Sequence, residues 1–105
     1  MRNLPKLAKE GFIQDPKTSK EFSEIPFDNL EIIKNHISLN YKKTKTIKRS
    51  VTSYGLKHRI EDDLGFYVSN GECIKAFIDL GYEVQPIRIN AYFNVSEKLK
   101  KSQKK

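Results

Sequence analysis

The stretch TSYGLKHRIEDDLGFYVSNGECIKAFIDLGY, residues 52–82, reads as two helices joined by a tight turn. Leu56, Ile60 and Leu64 recur every four residues, which gathers them on one face of a helix, and Ser53 or Thr52 is suited to cap its first turn. Gly65 follows the last apolar position, where a glycine cap is expected. Within VSNGEC, Ser69 stands three residues before Glu72, the spacing of a capping box, and Val68 and Cys73 are placed for a hydrophobic staple. The next helix carries the apolar stripe Cys73, Ala76, Phe77 and Leu80, supported by Ile74 and Ile78, and Gly81 supplies its stop. The intervening FYVS has room only for a turn.

Working upstream, an earlier helix is expected after Asp28 as N-cap, with Leu30, Ile33 and Ile37 at helical spacing and Ile32 beside them, fading near Asn40. KKTKTIKRSVT then sets Thr44, Thr46, Ile47, Val51 and Thr52 among lysines, the composition of a basic loop containing a short edge strand. Downstream of Gly81, Tyr82 and Val84 alternate with polar residues, Pro86 interrupts, and Ala91, Phe93 and Val95 alternate again. Two strands joined by the loop QPIRIN are expected there. Residues 1–27, with Pro5, Pro16 and Pro26 among Phe12, Phe22 and Phe27, read as an extension holding a short helical turn and extended segments against the core. Residues 28–95 form the domain, and 96–105 are a basic flexible tail.

A chain of 105 residues with 37% hydrophobic content supports one modest core. Its formal net charge of +7 attracts nucleic acid, anionic lipid or an acidic protein. Membrane is the weakest of these, since no apolar run approaches the roughly 20 residues of a spanning helix. The N-terminal MRNLPKLAKEGF also lacks the apolar centre of a secretory signal. The lone Cys73 cannot form an intramolecular disulfide, which favours a cytoplasmic setting, and its place on the apolar stripe makes it a small hydrophobe. One cysteine and two distant histidines, His36 and His58, give no zinc-site spacing, so no metal is expected. Glu61, Asp62 and Asp63 are consecutive on a helix and point in different directions. With no glycine-rich phosphate loop and no nucleophile–base pair, the chain reads as a non-enzyme without a cofactor.

What remains is the charge. NYKKTKTIKRSVTSYGLKHR, residues 40–59, carries Lys42, Lys43, Lys45, Lys48, Arg49, Lys57 and Arg59 and no carboxylate, in a chain that has 13 of them. Lysines and arginines that track a phosphate backbone, with aromatic faces for the bases, are how sequence-tolerant single-strand binders work. Tyr41, Tyr54, Tyr67 and Tyr92 are candidate platforms, although tyrosines also fill small cores. Tyr92 is the best placed, because it points away from Ala91, Phe93 and Val95.

The order helix, basic segment, helix, turn, capped helix, strand, loop, strand resembles an α+β winged helix-turn-helix domain, a three-helix core with a small antiparallel β wing. The resemblance makes 70–80 the recognition helix and 85–90 the wing, with Arg88 on it. The third helix departs from the usual duplex-reading pattern: Glu72 and Asp79 accompany Lys75, and Asn70 is the only amide.

Residues 53–96 also resemble the small single-stranded-DNA-binding proteins of staphylococcal cassette chromosome elements, through TSYGLKHRIEDDLGFYVSNGECIKAFIDLGY followed by NAYFNVS. That resemblance implies an accessory role in replication of a mobile element, beside an element-encoded helicase or primase. Single-stranded DNA with low sequence preference is thus the expected partner. The alternatives are a sequence-specific duplex-binding repressor and a module that docks a helicase or primase through its basic surface.

Overall fold

The computed structural model describes residues 4–14, 24–26 and 28–98. Pro16, Phe22, Phe27 and the tail from residue 99 onward lie outside the described residues. In chain order the elements are β1 (Leu7–Ala8), β2 (Gly11–Phe12), α1 (Leu30–Asn40), β3 (Tyr41–Lys48), α2 (Ser53–Leu64), α3 (Asn70–Asp79), β4 (Val84–Ile87) and β5 (Asn90–Glu97). Among the described residues the result is a mixed α+β architecture of three helices, a three-stranded antiparallel sheet ordered β3-β5-β4, and a small hairpin of β1 and β2.

The capping chemistry places α3. Ser69 Oγ accepts from the Glu72 amide and the Glu72 carboxylate accepts from the Ser69 amide, each at 3.0 Å, closing the capping box. Such a cap contributes about 1 kcal/mol. Helix α2 ends at Gly65 in the left-handed conformation, φ 83°, with its amide bonded to the Glu61 carbonyl. In α1 the cap falls on Asn29, one residue later than Asp28, and no side chain caps it.

Phe77 is the hub of the core. Its ring stacks on Phe93 with centroids 4.4 Å apart and meets Tyr82 and Tyr41 edge-on at 4.9 and 6.3 Å. Ile33 and Ile37 from α1, Ile60 from α2, and Cys73 and Ile74 from α3 close around this cluster and are fully buried.

Two expectations are corrected. The expected edge strand is present, but it takes up nearly all of the basic segment as eight residues rather than a short piece of a loop, because Thr44, Thr46 and Ile47 favour extended backbone and β5 offers it a partner. The loop 85–90 is mostly hairpin: Val84 to Ile87 pair with Asn90 to Phe93 around a two-residue turn at Arg88 and Ile89. Pro86 fits in β4 because that strand lies at the sheet edge, where one side of the backbone needs no ladder partner. Residues 4–14 supply the extended segments expected of the extension, as the β1–β2 hairpin, which sends Phe12 into the core with no exposed surface; residues 1–3, 15–23 and 27 lie outside the described residues.

Candidate nucleic-acid interface

Strand β3 is the other edge of the sheet. It begins in register, with Tyr41, Lys42 and Lys43 opposite Glu97, Ser96 and Val95, and next pairs at Lys48 opposite Phe93. Between those points β3 advances five residues while β5 advances two, so β3 bulges. The bulge is held by Thr44 Oγ1, which donates to the Thr46 carbonyl, and by the Asn94 amide, which donates to the Thr44 carbonyl. Lys42, Lys43, Lys45, Lys48 and Arg49 are all exposed along this edge.

Among the described residues the carboxylates pair with helix cations. Lys34 pairs with Glu31 and Asp79, Lys57 with Glu61, Arg59 with Glu97, and Lys75 with Asp79. Among the described residues, none of the five β3-edge cations has a carboxylate partner. Lys43 instead lies 5.5 Å over the Tyr82 ring, and Arg49 Nε donates to Gln85 Oε1 at 3.1 Å. Gln85 is the register partner of Tyr92, so Arg49 reaches across β5 to the neighbourhood of that half-buried ring.

The fold also joins Lys48 to Arg59. Both line a cavity of about 340 Å³ between the sheet and α2, with Val51 and Leu56 on its apolar side and Ser50 and Ser96 among its polar groups. Arg59 enters this cavity paired with Glu97.

Other sequence candidates are placed elsewhere. Tyr41 is buried at 3% exposure, so its ring is a core element and not a stacking platform. Burial pushes its hydroxyl pKa up to about 12, against the opposing pull of Arg59. Lys57 is 5% exposed and ion-paired, which removes it from the phosphate-contacting set. Arg88 is exposed but sits at the hairpin turn with φ 56°, beyond the last β3 pairing at Phe93. Its carbonyl accepts from Gln14 Nε2 at 2.6 Å. Tyr67 is exposed on the flank of α2 that carries Lys57, where Tyr54, Lys9 and His58 join it; Lys9 is the member of this group that local sequence pattern gave no reason to select.

Helix α3 does not present its first turn to solvent. Asn70, Gly71 and Glu72 are buried; the Gly71 amide donates to the Lys9 carbonyl, and Asn70 Nδ2 to the Glu10 carbonyl and Asn90 Oδ1. Lys75 and Asp79 on its outer face pair at 2.8 Å. Burial pushes the Cys73 thiol pKa up, which leaves it inert. Among the described residues no three His, Cys, Asp or Glu side chains group as metal ligands, and no helix is long and apolar enough to cross a membrane.

No family model matches the chain, and no curated protein or solved structure matches it.

Proposed function

We propose that the chain is a non-enzymatic protein that binds single-stranded DNA with low sequence preference, through a winged helix-turn-helix domain whose basic sheet edge tracks the phosphates. The observation that carries this reading is the segregation of charge: Lys42, Lys43, Lys45, Lys48 and Arg49 line one exposed strand edge with no carboxylate partner among the described residues, while the helix cations are paired. Such a row of exposed cations attracts a polyanion and releases its counterions. Tyr92, half-buried on β5 and the register partner of the Gln85 that Arg49 reaches, is a candidate aromatic surface beside that row.

The sheet order β3-β5-β4 and the succession α1, β3, α2, α3, β4, β5 support the winged-helix assignment. Reading a duplex with α3 would require its first turn to enter a groove. That turn is covered by the N-terminal hairpin, which disfavours the repressor alternative. The cytoplasmic setting and the place in mobile-element replication, beside a helicase or primase, rest on the lone cysteine and on the resemblance of residues 53–96.

Fluorescence anisotropy with labelled single-stranded DNA, duplex DNA and RNA of matched length, each at several salt concentrations, tests the reading. Salt-sensitive binding to unrelated single strands, tighter than to duplex, is the expected result. Absence of binding to all three would overturn it in favour of a protein-docking module.

A further inference from the structure

Lys57 is buried, yet its ammonium is not sealed in the core. It lies 4.5 Å from the ring centroid of Tyr67 and 5.5 Å from that of Tyr54, with the Glu61 carboxylate at 3.3 Å. Lys9, from the N-terminal hairpin, approaches Tyr67 at 5.8 Å. His58 meets the Tyr54 ring edge-on with centroids 4.5 Å apart. Despite these contacts Tyr54 and Tyr67 remain 53% and 60% exposed. One cation therefore steadies two rings whose remaining surface faces water.

We infer that Tyr54 and Tyr67 form a second contact surface for the bound strand, on which unpaired nucleobases stack; this deepens the nucleic-acid reading above and rests on it. The surface is separate from the β3 edge. At helical spacing Tyr54, Lys57 and Glu61 share one flank of α2, whereas Arg59 and Asp63 share the other, where they meet Glu97 and His36. A strand that touches both surfaces crosses α2.

Three features select a flat base on a polyanion over other ligands. The space between the rings that would take a quaternary ammonium ion is filled by the chain's own lysine. Glu61, the carboxylate in the cluster, is committed: it accepts from the Val68 amide, Lys57 and His58, and these bonds hold its pKa below the usual carboxylate value. Finally, the cation contacts fix the rings before any ligand arrives, which lowers the ordering cost of stacking.

The test compares a labelled oligothymidylate with an oligonucleotide of equal phosphate count made of abasic sites, using the full chain. Wild type should prefer the base-containing strand by on the order of tenfold. The Tyr54→Leu/Tyr67→Leu variant should lose most of that preference and keep its salt dependence, whereas Lys42→Ala/Lys45→Ala/Lys48→Ala should keep the preference and reduce the salt dependence. On the wild-type chain, saturating oligothymidylate should protect Tyr54 and Tyr67 from nitration, a readout that needs no variant to fold. Wild type that binds both strands equally, a tyrosine variant that retains the preference, or unprotected tyrosines would overturn the stacking surface while leaving the basic edge standing. Failure of wild type to bind either strand would overturn both.

Discussion

The Gly71 amide donates to the Lys9 carbonyl across 2.8 Å, binding the first turn of α3 to a hairpin some 60 residues earlier in the chain. That bond is possible because residue 71 has no side chain: a β-carbon there would run into the Ala8 carbonyl. Gly71→Ala should therefore push the N-terminal hairpin off α3. A loss of roughly 1–3 kcal/mol is expected, the range for overpacking a tight site. Urea denaturation followed by circular dichroism measures it. An unchanged midpoint would mean that the hairpin does not rest on α3 in solution.

Tyr41 links the core to alkaline stability. Its hydroxyl pKa is raised from 10.0 to about 12, so above pH 10 the unfolded chain loses a proton that the folded chain retains. The associated stabilisation is fully present below pH 10 and is lost as pH rises from there toward 12. Roughly 2 kcal/mol should disappear across that window. Tyr41→Phe keeps the ring in the core and removes only the titrating hydroxyl, so it should leave stability near neutral pH little changed and flatten the alkaline fall. Thermal melts of both proteins between pH 7 and 11 decide this; parallel curves would count against the burial of Tyr41.

The β3 edge predicts a particular salt response. Each phosphate contact on a single strand contributes about 0.7 to the slope of log affinity against log salt. Lys42→Ala/Lys45→Ala/Lys48→Ala should therefore reduce that slope by about 2 and weaken binding at low salt by at least about tenfold. The three side chains are exposed and unpaired among the described residues, so the fold should survive. Equal slopes for wild type and variant, measured by anisotropy, would remove β3 from the interface.

The helices were legible in the sequence because their signals are local. Leu56, Ile60 and Leu64 repeat at helical spacing, Gly65 stops the pattern, and Ser69 with Glu72 forms a motif four residues long. Strand β3 was harder to read because its bulge breaks the two-residue alternation between Lys43 and Lys48, and because lysines on an exposed edge look like a loop. Pro86 likewise concealed the continuation of β4 to Ile87, since a proline argues against a strand unless the strand is known to lie at an edge. The fates of Tyr41 and Lys57 depend on contacts that no local pattern encodes. Tyr41 is core because Phe77 lies beside it, and Lys57 is buried because Tyr67, from the following turn, closes over it.

The capping box allows its two bonds to be separated. Ser69 and Glu72 are both buried, so an amide deprived of its partner there cannot turn to solvent. Ser69→Ala leaves the Glu72 amide unpaired and should destabilise the fold by about 1–2 kcal/mol. Glu72→Ala leaves the Ser69 amide unpaired and removes the negative charge at the start of α3, which should cost about 1–3 kcal/mol. Because the two side chains belong to one motif, the double variant should lose less than the sum of the single losses, with a coupling of at least about 0.5 kcal/mol. Urea titrations of the four proteins measure that coupling. Strict additivity would mean that the two bonds form independently and that α3 starts without the reciprocal cap.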